Sequence, residues 1–129
     1  MFQKGAGEQA LHNSAYPLFD MGHVYMAQKD YPKAVEAYRD AKRFVTDDII
    51  IYWLGTALYE AGRTKEAITE LHEGTALAPQ NANIRYALAL AYLKGGDKKS
   101  AIAEFKKAAE LAPRSELAQK ANDYLKILR

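Results

Sequence analysis

The chain has 129 residues, a length that holds one domain, with 49% hydrophobic and 26% charged residues as in an ordinary globular protein. Its 18 basic and 16 acidic side chains leave a net charge of +2, which gives no electrostatic drive toward nucleic acid or an anionic membrane. Cysteine is absent, excluding thiol catalysis, disulfides and thiolate metal sites, and the longest apolar run, Ile49 to Leu54, is six residues where a membrane helix needs about 18.

Met1 to Ser14 reads as a tail. Gly5 and Gly7 weaken a helix there, and no apolar signal-peptide core is present. Phe2-Gln3-Lys4-Gly5 also resembles the end of a closing helix from a preceding unit of the kind that follows.

From Ala15 onward the chain repeats a unit of two apolar stripes at helical spacing around a short polar turn. In the first unit, 15–47, the opening helix carries Leu18, Met21, Gly22 and Tyr25, and the closing helix Ala34, Val35, Tyr38 and Ala41. The turn between them supplies a cap, Asp30, and a proline suited to a first helical turn, Pro32. The second unit, 48–81, carries Ile51, Leu54, Gly55 and Leu58, then Ala67, Ile68 and Leu71, with Gly62 and Thr64 at the turn. Asp47-Asp48 precedes its first helix and reads as a cap rather than a metal site. The third unit, 82–115, carries Leu88, Ala89 and Tyr92, then Ala101, Ile102 and Phe105, with Gly96 and Asp97 at the turn. Gly62 and Gly96 stand where a left-handed helix stop is wanted; Lys29 holds that place in the first unit, at a cost of about 1 kcal/mol. The last segment, 116–129, is one helix with Leu117, Ala118, Ala121, Leu125 and Leu128 on one stripe and polar residues elsewhere, the form of a terminal cap.

Gly22, Gly55 and Ala89 are spaced 33 and 34 residues apart, and Ala34, Ala67 and Ala101 keep the same interval. A period near 34 with these residue types marks a stacked array of helical hairpins. The small residues are expected to face one another across each hairpin, Gly22 to Ala34, Gly55 to Ala67 and Ala89 to Ala101. That contact would let the helices approach toward ~8 Å.

These positions resemble the tetratricopeptide repeat, whose pattern is W-x2-L-G-x2-Y, A-x3-F and a late proline. The units read Leu18-x2-Met21-Gly22-x2-Tyr25 with Ala34-x3-Tyr38; Ile51-x2-Leu54-Gly55-x2-Leu58 with Ala67-x3-Leu71 and Pro79; and Arg85-x2-Leu88-Ala89-x2-Tyr92 with Ala101-x3-Phe105 and Pro113. The first unit departs with Thr46 in place of the proline and is one residue short, which bears on how repeat one sits against repeat two. The resemblance implies an all-α fold: a right-handed α-solenoid of antiparallel helix hairpins, three repeats and a C-terminal capping helix. A single array of this size is also similar to accessory proteins of bacterial pilus or secretion assembly, although no motif fixes that. Location follows from none of this: cytoplasm is the default, periplasm or membrane association the alternative for a piece of an exported protein.

In the family the opening helices line a concave groove, which implies a set of binding residues here. The first helix contributes Tyr16, Phe19, His23, Met26 and Ala27; the second Ile49, Tyr52, Thr56, Tyr59 and Glu60; the third Asn83, Tyr86, Leu90, Leu93 and Lys94. These spacings share one helical side, distinct from the core stripe. Phe19, Tyr52 and Tyr86 are equivalent and are expected to form a ladder, with Trp53 at its edge. The functional expectation is a non-enzymatic scaffold whose groove takes an amphipathic helix or apolar peptide of a protein partner. The blander alternative is that Ile49, Tyr52 and Tyr86 only pack the array, or that Met1–Ser14 fills the groove. Self-association through the groove or the repeat-one edge, or service as a segment of a longer array, is the structural alternative. Some family members clamp a peptide C-terminal carboxylate; Phe19 and His23 replace the lysine and asparagine of that clamp, so none is expected.

No catalytic, metal or cofactor site is expected. His12, His23 and His72 are the only imidazoles and fall on the tail, the groove and a closing helix. A hydrogen-bonding role suits His23. Gly5-Ala6-Gly7 and Gly95-Gly96 lack a phosphate-loop context. The Lys98-Lys99 and Lys106-Lys107 pairs read as solvated faces, and Asp20 and Glu60 beside the groove argue against RNA.

Overall fold

The computed structural model describes residues 3–128, with side chains from residue 15 to residue 128. The described chain is α1 (Gln3–Ala27), α2 (Tyr31–Phe44), α3 (Asp48–Glu60), α4 (Thr64–Leu77), α5 (Ala82–Lys94), α6 (Lys98–Leu111) and α7 (Glu116–Leu128), without a strand among the described residues. Each helix packs on its neighbours in sequence, and α3 also touches α5 as α5 touches α7. The result is an all-α solenoid of three helix hairpins, in which α7 takes the place of a fourth opening helix.

The hairpin turns are built alike. After α1 the amide of Lys29 bonds the carbonyl of Met26 and that of Asp30 bonds Tyr25. The same pair recurs as Gly62 to Tyr59 with Arg63 to Leu58, and as Gly96 to Leu93 with Asp97 to Tyr92. This is the paired closure of a helix whose next residue turns left-handed, and Lys29, Gly62 and Gly96 have φ of 60°, 79° and 87°. Two caps are as expected, Asp30 accepting from the amide of Lys33 and Asp47 from that of Ile50, and Asp97, expected only at its turn, also caps α6 by accepting from the amide of Ser100. Asn81 adds a cap on Ile84 and donates to Asp48 at 2.9 Å, tying the start of α5 to the start of α3.

Three expectations need correction. The segment expected as a tail is helical from Gln3 and continuous with the opening helix. Two glycines cost a helix about 1 kcal/mol each, but a helix already nucleated gains a bond with each added residue. Pro17 also lies within α1, where it forfeits one backbone hydrogen bond. The side chains of residues 1–14, His12 among them, lie outside the described residues, as does any seating of that segment in the groove.

Second, the residue over Gly22 is Tyr38, not Ala34, and the residue over Gly55 is Leu71, not Ala67: a Cβ on either glycine would run into those side chains. The glycines make room for the large residue one turn further along the closing helix. Third, Met21 was expected in the core and is 46% exposed, although its equivalents Leu54 and Leu88 are fully buried. Those two are covered by the preceding hairpin, because α2 packs on α3 and α4 on α5; Met21 faces out from the first.

Repeat one is held to repeat two on its outer side. Arg39 of α2 bonds Glu66 at 3.0 Å, and Lys42 bridges Glu70 at 2.9 Å and Glu73 at 3.0 Å. Where later repeats carry a proline, Thr46 donates its hydroxyl to the carbonyl of Lys42 and satisfies the end of α2.

Candidate binding groove

The opening helices α1, α3 and α5 present one row of side chains, and the row divides into two parts. In repeat one, Tyr38 passes over Gly22 and reaches His23, with its hydroxyl 2.6 Å from Nδ1. Burial pushes the Tyr38 phenol far above its ordinary range, so it stays protonated and shares a hydrogen bond with Nδ1. Phe19 meets the His23 ring edge-on at 4.4 Å and Trp53 does so from repeat two at 4.6 Å. His23 does use its hydrogen-bonding capacity, but on a residue of its own repeat. Trp53, expected at the groove edge, is a joint between repeats: it touches His23, Tyr38 and Tyr52. Met26 is half-buried on the same core cluster. Tyr16 and Ala27 lie exposed on α1.

Between repeats two and three the row opens into a pocket of about 120 Å³. Tyr52, Thr56, Tyr59 and Glu60 of α3 form one side, and Tyr86, Ala87 and Leu90 of α5 the other. Leu71 of α4 supplies the floor, reaching over Gly55. Thr56 turns its hydroxyl back onto the carbonyl of Tyr52, which leaves its methyl as a lining group. Burial raises the Tyr59 and Tyr86 phenols, so both stay neutral and act as hydrogen-bonding groups. Lys94 crosses from α5 to the carbonyl of Tyr59 at 3.1 Å, with its Nζ 4.3 Å from the Tyr59 ring centre. Glu60 remains exposed at the rim. A second hollow follows the helix starts, lined by Ile49, Tyr52, Trp53, Asn81 and Asn83, with Ile49 56% exposed.

The expected ladder of equivalent rings is not a stack. Phe19 packs on His23 and Tyr38, Tyr52 on Trp53, and Tyr86 on Phe105 and Tyr124. Leu93 is half-buried against the same third-repeat cluster. Leu71 and Ala87 are lining residues that the groove register passed over. Ala87 lies off that register, and Leu71 belongs to a closing helix; the signal for it was Gly55, whose missing side chain admits it.

Among the described residues no group of three His, Asp or Glu side chains is placed to hold a metal ion, and no helix is long and apolar enough to cross a membrane.

Solved structures share this arrangement over nearly the whole chain. The Yersinia enterocolitica type III secretion chaperone SycD, in complex with a peptide of the translocator YopD, aligns with a TM-score of 0.84 at 16% identity, covering 90% of this chain and 92% of that one. The Arabidopsis OM64 TPR domain gives 0.83 at 20% identity, covering 92% and 97%. The first TPR of Spaghetti (RPAP3), bound to the HSP90 peptide SRMEEVD, gives 0.83 at 16%, covering 91% of each. No curated protein matches the sequence. Two tetratricopeptide repeat family models do, one over residues 15–43 and one over residues 52–116. The second alone spans half of the chain, so the protein belongs to the tetratricopeptide repeat family.

Proposed function

We propose that the protein is a non-enzymatic interaction scaffold that holds an apolar or amphipathic segment of a partner protein in the pocket between α3 and α5. The observation that carries this is the pocket itself: half-buried rings and aliphatic groups from two repeats converge on one opening, with neutral phenols and Glu60 as orienting polar groups. Concave apolar sites with a small number of polar groups are the usual form of a binding pocket. Solved structures of the same fold hold peptides, a YopD segment in SycD and an HSP90 peptide in RPAP3, which supports the general role. The partner is read as apolar rather than as a carboxylate terminus because Phe19 and His23 are spent on packing and on Tyr38, and Lys94 on Tyr59.

The test is selection of binders from a displayed random-peptide library. Selected peptides should be rich in apolar side chains and should lose binding to Thr56→Arg, which fills the pocket without removing a packing residue. Thermal melting of that variant should stay close to the parent. Equal capture by Thr56→Arg would remove this pocket from the function.

A further inference from the structure

The pocket between α3 and α5 is apolar inside and charged at its rim. Leu71 forms the floor, and Ala87, Leu90 and the Thr56 methyl line the walls. Its volume of about 120 Å³ is room for one aliphatic side chain. At the rim stands the Glu60 carboxylate, exposed and, among the described residues, without an ion pair.

The other charges of the opening helices and of α7 are engaged or turned aside. Lys94 lies on the Tyr59 carbonyl and ring, not on Glu60. Lys120 holds the place in α7 that Tyr86 holds in α5, and it pairs with Glu116 at 3.4 Å. Asp48 receives Asn81, and Arg85 meets Glu104. Asp123 and Lys126 hold the places of Ala89 and Tyr92, which belong to the packing side of a helix. Lys29, in the turn after α1, is within ion-pair distance of no acid. Besides Glu60, one more carboxylate on these helices is free: Asp20 of α1, exposed at the place of Trp53 and Ala87. The groove therefore offers a ligand two unpaired carboxylates, and its cations are already held.

An apolar pocket with a carboxylate at its mouth sets two demands on what it takes. The side chain that enters must be apolar, because its tip meets Leu71. The residue beside it must tolerate Glu60, which repels an acid and attracts a base. A cation there also lies beside phenol rings, and the chain's own Lys94 shows one settled on such a ring, its Nζ 4.3 Å from the centre of Tyr59.

We propose, resting on the reading that this pocket holds a partner segment, that the segment is basic and amphipathic. One apolar residue enters the pocket, and a lysine or arginine within a helical turn of it meets Glu60.

Selection from the displayed random-peptide library, followed by binding of one synthetic peptide it yields, tests this. Captured peptides should carry a lysine or arginine at a fixed step from the apolar anchor. Glu60→Gln should weaken capture of the synthetic peptide about two- to fivefold, and Glu60→Lys should weaken it further. The same peptide with its basic residue replaced by glutamate should bind Glu60→Lys better than it binds the parent. Added salt should weaken binding to the parent and change binding to Glu60→Gln little. Glu60 is exposed, so melts followed by circular dichroism should match the parent in both variants. Peptides that are lost by Thr56→Arg but lack the basic residue, or that Glu60→Lys holds as tightly as the parent does, overturn this proposal and leave the pocket's general role standing. Capture that Thr56→Arg does not change overturns both. Acidic peptides, held more tightly by Glu60→Lys and lost by Lys94→Gln, would make Lys94 the charge that is read and overturn the proposal as well.

Discussion

Tyr38 and His23 are joined by a hydrogen bond of 2.6 Å that exists because Gly22 stands between them without a side chain. Tyr38 is fully buried and its hydroxyl is the polar end of an otherwise apolar anchor. Tyr38→Phe keeps the ring packing and leaves Nδ1 without its hydrogen-bond partner, so unfolding in urea should show a loss of about 1–2 kcal/mol. Tyr38→Leu should cost more, because the ring contacts with Phe19 and Trp53 go as well. A Phe variant as stable as the parent would mean that the bond contributes nothing net.

Lys29 is the one described non-glycine residue with positive φ, at 60°. Its two counterparts at the same turn position are Gly62 and Gly96. Replacing Lys29 by Gly removes a left-handed strain of about 1–2 kcal/mol and adds back some entropy to the unfolded chain. A net gain of about 0.5–1 kcal/mol is expected, read as a higher urea midpoint at unchanged slope. The reverse exchange, Gly62→Lys, should lower the midpoint by a comparable amount.

Glu66 accepts from Arg63 at 2.7 Å and 2.8 Å and from Arg39 at 3.0 Å. The hydrogen bonds from Arg63 and then from Arg39, with the charges of both, lower its carboxyl to about 2. A depressed carboxyl contributes stability that is fully present above the unfolded value, 4.5, and is lost as pH falls toward about 2. Glu66→Gln should therefore be less stable than the parent at neutral pH, and the difference should shrink between those two values. The site is at the surface, so added salt should reduce the difference too. A gap between the two proteins that does not vary with pH would exclude this account.

How much of this could be read from the residues alone depends on the element. The hairpins were legible because small residues, left-handed stops and apolar stripes all repeat at one interval, and independent signals that agree leave little room for another fold. The caps at Asp30 and Asp47 were legible for the same local reason, while Asp97 was read only as a turn residue. What lay over Gly22 and Gly55 was not, because the period places residues along a helix and says nothing of which side chain spans the gap. Counting along its own helix set Trp53 at the groove edge, where it lines the hollow at the helix starts, but did not show that its ring also crosses to His23 of the neighbouring repeat. The exposure of Met21 was hidden by the repeat pattern itself, since the position is a core position wherever another hairpin precedes it. The helical segment from Gln3 was missed because two glycines were weighed without the helix that continues past them.

Tyr86 separates packing from binding in the groove. Its ring lines the pocket, yet it also meets Phe105 at 5.7 Å and Tyr124 at 6.4 Å, and those two rings are stacked on each other at 4.8 Å. Removing it breaks the joint between the third hairpin and α7. Tyr86→Ala should cost about 3 kcal/mol of stability, toward the low end for a truncated ring, since the site is only half-buried. Ile49→Ser, at a residue open to solvent, should stay within about 0.5 kcal/mol. Loss of peptide capture in Tyr86→Ala therefore carries no information about contact until it is compared, at a temperature where both proteins are folded, with Thr56→Arg. If Tyr86→Ala proves as stable as the parent, its ring contacts with α7 are not what holds the end of the array, and the ring belongs to the pocket alone.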